Sequence, residues 1–82
     1  MERKELESQI LELVSTAYNV ELDSISMDTD IKEELGGASV LMVGLVSEIE
    51  NELDVLVQLP VAAACKTIKD LTDKVEELLE EE

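Results

Sequence analysis

Apolar residues recur at the spacing of amphipathic helices in three segments of the chain, and this repeat constrains the fold more than any other feature. No stretch alternates apolar and polar residues for long enough to predict a half-buried strand. The repeating residues are Leu6, Ile10, Leu13, Val14 and Ala17, then Met42, Leu45, Val46, Ile49 and Leu53, and finally Ile68, Leu71, Val75 and Leu78. The pattern predicts an all-α chain with a first helix over roughly residues 2–17, a second that begins at Ser39 and a last helix opened by Thr67. Thr67 and Asp70 also have the spacing of a capping box.

The segment between the first two helices carries turn-forming residues and no helical repeat. From Tyr18 to Ala38 the pattern therefore predicts a long loop. The apolar residues that can hold this loop against the core are Val20, Leu22, Ile25 and Ile31. Pro60 suits the first position of a short third helix that reaches Cys65. The expected architecture is a single domain over residues 1–82, a four-helix bundle with a long loop between helices 1 and 2 and a short third helix.

The charge balance excludes several classes of partner. The chain has 21 Asp and Glu against 6 Lys and Arg, which gives a net charge of −15. Such a charge repels the phosphates of nucleic acids and favours a monomer. No uncharged apolar run approaches the roughly 20 residues of a membrane span, so we expect no membrane insertion and a cytoplasmic location.

Metal and thiol chemistry are also disfavoured by the sequence. The chain has no His and a single cysteine, Cys65, which excludes His-ligated metals and cysteine clusters. The run Asp28-Thr29-Asp30 resembles the start of a calcium loop, but Lys32 stands at the next ligand position and Glu33 where glycine is required. Cys65 lies among alanines with no nearby His, which favours a buried core residue over a reactive thiol.

The most informative stretch is Leu35-Gly36-Gly37-Ala38-Ser39, which ends at the predicted start of the second helix. Free backbone amides and the helix dipole favour negative charge at such a position, so a phosphate ester on Ser39 would be stabilised. Ser39 has no neighbouring His or Lys to activate it, and it would be a poor nucleophile of its own. The chemistry points to a serine modified by another enzyme, while a simple helix N-cap remains an open alternative.

Several features of the whole chain together resemble the acyl carrier protein family. These are the order of the helices, the long acidic loop, Leu35-Gly36-Gly37-Ala38-Ser39, the acidic end of the second helix at Ser47-Glu48-Ile49-Glu50-Asn51-Glu52-Leu53, and Thr67-Ile68-Lys69-Asp70-Leu71 at the opening of the last helix. The resemblance implies a carrier without catalytic activity of its own. It also implies that Ser39 carries 4′-phosphopantetheine, added from coenzyme A by a phosphopantetheinyl transferase, and that acyl groups are held on this arm as thioesters.

The resemblance also implies roles for two further sets of residues. Those expected to recognise partner enzymes, through basic or apolar docking surfaces on the partners, are Val40, Leu41, Val43 and Glu48. Those expected to line a shelter for the acyl chain are Met42, Leu45, Ile49, Val57, Ala62, Cys65 and Leu71. Ala38 stands where the family usually has aspartate, and Leu41 and Gly44 stand where it usually has acidic residues. We therefore expect Val40, Leu41 and Val43 to form an exposed apolar patch, and the carrier to serve a specialised fatty acid, lipid or polyketide pathway.

Two alternatives remain open at this point. The two glycines before Ser39 are also similar to the pattern of aminoacyl and peptidyl carrier domains. An unmodified acidic helical adaptor, in which Ser39 is only a helix cap, is the alternative from a different class. If the chain is such an adaptor, replacing Ser39 by alanine should cost about 1 kcal/mol of stability and leave its activity intact.

Overall fold

The computed structural model describes residues 2–36 and 39–81, and for Ser39 it describes the backbone. Within these residues the chain forms five α-helices, and a 3-10 turn lies between the first two. The helices are α1 (Arg3–Tyr18), α2 (Ile31–Leu35), α3 (Ser39–Leu53), α4 (Leu59–Ala64) and α5 (Ile68–Glu80), and the turn covers Leu22–Ser24. In the described part of the chain no strand forms, and Asp30 pairs with Thr67 in an isolated bridge.

The predicted all-α class is confirmed, whereas the expected count of four helices is not. The difference is α2, which lies inside the segment expected to be a loop. Its five residues are too few to show a helical repeat, yet two local features stabilise it. The Asp30 carboxylate accepts a hydrogen bond from the backbone amide of Glu33 at 2.8 Å, and the side chain of Ile31 is buried.

The core is a single aliphatic cluster shared by the helices. α1 packs against α3 and α5, and α4 packs against α3. Tyr18 is the one aromatic residue of the chain and lies buried in this cluster. Of the loop residues expected to contact the core, Ile25 and Ile31 are buried and Val20 packs partly against it. The expectation was wrong for Leu22, which is 44% exposed and belongs to a 3-10 turn none of whose three residues is buried.

Backbone hydrogen bonds fix the loop to the start of α5. The first amides of a helix have no partner within the helix, and here Ile68 donates to the carbonyl of Thr29 at 3.1 Å and Lys69 to that of Met27 at 2.8 Å. Thr67 and Asp70 form the predicted capping box, which is confirmed in both directions. Carbonyl groups of the loop therefore accept hydrogen bonds from the first amides of α5. These bonds hold the loop in place just before α2 begins.

An ion-pair network joins the two ends of the chain. Arg3 at the start of α1 reaches Glu7 at 2.8 Å, Asp73 at 2.6 Å and Glu76 at 3.1 Å, the last two on α5. Lys69 also pairs with Asp73 at 2.8 Å. Among residues 2–36 and 39–81, no helix is both long and apolar enough to cross a membrane.

Candidate functional site

α2, the helix that precedes Ser39 in the sequence, is held in place at its first residue. The amide of Ile31 donates to the carbonyl of Lys66 at 2.9 Å, and its side chain is 1% exposed. At the other end of α2, Gly36 has a φ of +97°, a conformation that a residue with a Cβ rarely adopts. The glycine therefore allows the chain to leave α2 sharply, immediately before the segment in front of α3. Gly37 and Ala38 lie outside the described residues, as does the side chain of Ser39.

Ser39 is the first residue of α3, a helix of fifteen residues. The amides of the first helical turn lack intrahelical partners, and the helix dipole adds positive potential at this end. The first turn of α3 carries no acidic residue. A negatively charged group attached here would thus meet favourable backbone dipoles without a carboxylate in the same turn.

The residues expected to recognise partners differ in exposure. Val40 is 77% exposed and Val43 is 46% exposed, next to the start of α3. Leu41 was expected to be exposed and is instead partly buried, because it packs against the core. Glu48, further along α3, is also partly buried. The exposed apolar surface of α3 thus consists of Val40 and Val43, and the recognition role of all four residues stays a prediction.

The residues expected to line an acyl shelter all belong to the buried core. They are contributed by α3, the segment after it, α4, the residue that ends α4, and α5: Met42, Leu45, Ile49, Val57, Ala62, Cys65 and Leu71. The fold brings them together as one aliphatic cluster. Ordinary packing accounts for each of them, so a role in sheltering cargo stays a prediction.

Cys65 lies in a setting that keeps its thiol protonated. Burial raises its pKa above the usual value, and the nearby charge of Asp70 acts in the same direction. The Sγ atom donates to the carbonyl of Val61 at 3.4 Å. Because the thiolate is the reactive form, this arrangement agrees with the expected core role and disfavours a nucleophile.

Two acidic residues, Asp30 and Glu34, make hydrogen bonds that stabilise the start of α2. Asp30 caps α2, and its own amide donates to the Glu34 carboxylate at 2.8 Å. Within the described part of the chain, no group of three or more His, Cys, Asp or Glu side chains could hold a metal ion.

A second group of exposed apolar side chains was not predicted from the sequence. Leu56 is 61% exposed, Leu59 37% and Val61 36%, all in or just before α4. None of these three residues was assigned a role from the sequence. The available signal was the absence of charge from Val55 to Cys65 in a chain that is 33% charged.

Both a protein family and a known protein match most of this chain. Residues 8–75 match the family described as the phosphopantetheine attachment site. An acyl carrier protein from Trieres chinensis is 30% identical over 69 residues, which cover 84% of this chain and 86% of that protein. The family match extends from α1 into α5 and includes the whole of α2, α3 and α4. It therefore contains Ser39 and the elements that position it.

Proposed function

The chain belongs to the phosphopantetheine-attachment family of carrier proteins, and we propose that Ser39 is its attachment residue. Membership confirms the expected resemblance to acyl carrier proteins, and 4′-phosphopantetheine is the prosthetic group of this family. Members of the family are carriers and not enzymes, and they interact with phosphopantetheinyl transferases and with enzymes that handle acyl groups. When attached, the prosthetic group supplies a terminal thiol on which acyl groups are held as thioesters.

The observation that carries the assignment of Ser39 is its place as the first residue of α3. The phosphate of the arm would be an anion in a chain whose net charge is already −15. The start of α3 suits it because the free amides of the first turn face such a group and no acidic side chain shares that turn. From Ser39 to Ser47 the sequence contains no charged residue, which keeps the acidic surface at a distance along the helix.

Ser39, the first turn of α3 and the buried core would each contribute to holding the arm and its acyl group. Ser39 would hold the arm through its hydroxyl oxygen, and the backbone amides of the first turn would orient the phosphate. The buried face of α3, with Met42 and Ile49, fixes this turn against the core. We propose that the part of the core between α3 and α4 shelters the acyl chain, since the buried residues that α3, α4 and the segment between them contribute carry no aromatic ring that would have to move aside.

We also propose a specialised role for this carrier. α3 presents the exposed side chains of Val40 and Val43 beside the attachment residue, and Leu41 and Gly44 stand where the family usually has acidic residues. Exposed apolar side chains in a cluster commonly mark a contact surface. The chain would then be a cytoplasmic monomer that delivers its acyl group to a dedicated partner enzyme of a fatty acid, lipid or polyketide pathway. An aminoacyl or peptidyl cargo is the nearest alternative, based on Gly36-Gly37 before the serine.

Intact-mass spectrometry tests the attachment residue. The protein is incubated with coenzyme A and a broad-specificity phosphopantetheinyl transferase, and Ser39→Ala serves as the control. We expect the parent to gain the mass of one phosphopantetheine and the control to gain none. An equal gain in both proteins would contradict Ser39 as the site. No gain in the parent, repeated with the transferase of the source organism, would favour the unmodified adaptor.

A further inference from the structure

One side of α3 points away from the core and carries no charge. Val40, Val43, Gly44 and Ser47 have the spacing i, i+3, i+4 and i+7, which places them on the same side of a helix. All four are exposed, and the buried residues of α3 lie on the opposite side. Residues 39–47 contain no Asp, Glu, Lys or Arg, although 33% of the chain is charged. We call these four exposed residues the neutral face.

Gly44, near the middle of the neutral face, is not explained by packing within the chain. A glycine inside a helix destabilises it relative to alanine. A Cβ atom added to Gly44 would meet no atom of the described residues within 4 Å, so a larger side chain would fit there. What a glycine does provide is room for another group to approach the backbone closely. The position therefore suits close contact with a ligand.

An arm attached to Ser39 would begin at the edge of the neutral face. Val43 follows Ser39 by about one turn of α3, and Ser47 follows it by about two turns. At a rise of about 1.5 Å per residue, Val43 lies about 6 Å, Gly44 about 7.5 Å and Ser47 about 12 Å along the helix from the attachment residue.

The chemical groups of phosphopantetheine occur at matching distances. An extended chain advances by about 1.2 Å per bond, which puts the dimethyl carbon of the arm about 5 Å, its first amide about 8 Å and its second amide about 13 Å from the serine oxygen. The dimethyl group would then contact Val43, and the first amide would pass over Gly44. The second amide would reach Ser47, whose hydroxyl can both donate and accept a hydrogen bond.

We propose that the phosphopantetheine arm, when it carries no acyl group, lies along α3 on the neutral face. This inference rests on the proposed function, because it requires an arm on Ser39. Beyond its phosphate the arm is uncharged, so it can cover the neutral face without removing a carboxylate from water. The groove beside α2 is a poorer site, because it is lined by four charged side chains: Asp30, Lys32, Glu33 and Lys66.

NMR spectroscopy of the protein with and without the arm tests this proposal, after intact mass has verified that the arm is attached. We expect nuclear Overhauser contacts between the dimethyl group of the arm and the methyl groups of Val43. The amide signals of Gly44 and Ser47 should shift when the arm is attached, and their hydrogen exchange should slow at least twofold. Changes confined to the residues next to Ser39, without a contact to Val43, would overturn the proposal.

A pair of variants provides the matched comparison. Gly44→Glu places a charged side chain on the proposed path, and it should fold because the added side chain meets open space and glutamate favours a helix more than glycine does. Ser8→Glu adds the same charge at an exposed position of α1. Circular dichroism melting curves verify that both variants are folded. We expect the contact between the arm and Val43 to disappear in Gly44→Glu and to persist in Ser8→Glu. Its persistence in both variants, or its loss in both, would contradict a path over Gly44.

Other occupants of the neutral face would give different results. Signal changes that grow with protein concentration would assign the face to a second copy, which the repulsion between two net charges of −15 disfavours. Changes that occur only after an acyl-handling enzyme is added would assign it to that enzyme. If the parent gains no arm, the proposed function has failed and this inference falls with it. If the arm is attached but contacts nothing on α3, this inference alone is wrong.

Discussion

Replacing Ile31 by alanine should loosen α2, the helix that precedes Ser39 in the sequence. Ile31 is the one buried side chain of this helix and is 1% exposed. The change deletes three buried carbons, worth about 2.4 kcal/mol at roughly 0.8 kcal/mol each, and the cavity left behind brings the cost to about 3 kcal/mol. A domain of this size has a total stability of about 4–12 kcal/mol, so the loss is a large share of it.

Urea unfolding and hydrogen exchange together measure this effect. Ile31→Ala should lower the free energy of unfolding by about 3 kcal/mol and Ile31→Val by about 1 kcal/mol. Leu35→Ala, at a partly buried position of the same helix, should cost less than Ile31→Ala. Exchange should accelerate most at the amide of Glu34, which donates to the carbonyl of Asp30 at 2.9 Å. A loss below 1 kcal/mol for Ile31→Ala, or unchanged exchange in α2, would refute the idea that this one side chain anchors the helix.

Two further predictions concern α5. Thr67→Ala removes the side chain that accepts from the amide of Asp70 at 3.1 Å, and it should lower the free energy of unfolding by about 1 kcal/mol in urea titrations; an unchanged midpoint would contradict the role of the capping box. Asp73→Asn removes the partner of Lys69 and Arg3, whose hydrogen bonds lower the pKa of Asp73 below its usual 3.8. Because the pKa of Asp73 is lower in the folded state, its ionised carboxylate stabilises the fold at pH values above the usual pKa. This contribution is lost as the pH falls through the lowered pKa. The deficit of the variant should therefore be about 0.5–1 kcal/mol at neutral pH and should vanish in strong acid, whereas a deficit independent of pH would count against the ion pairs.

The long helices could be predicted from the sequence because each buries a regular apolar stripe. The predicted first helix, over residues 2–17, differs from α1 (Arg3–Tyr18) by one residue at each end. The start of α5 was fixed by Thr67 and Asp70, whose capping box depends on residues three apart in sequence. In both cases the information is local, so no knowledge of the neighbouring helices was needed.

The features that escaped prediction depend on how the elements pack. α2 has too few residues for a repeat, and Ile31 anchors it through contacts and a hydrogen bond to Lys66, thirty-five positions away. Leu41 lies at the edge of the buried stripe of α3, and it is partly buried because it packs against residues of the core. Conversely, Leu59 and Val61 are apolar yet partly exposed, because the short α4 can bury only one side. The sequence could therefore indicate Ser39 but not which apolar side chains of α3 and α4 stay exposed.

The central claim is that Ser39 carries a phosphopantetheine arm in the cell. The most direct test is to isolate the protein from its source organism and to determine its intact mass, followed by mapping of the modified peptide. The account predicts a mass that exceeds the sequence mass by one phosphopantetheine, with the addition located on Ser39. An unmodified mass, or an addition on another residue, would contradict it.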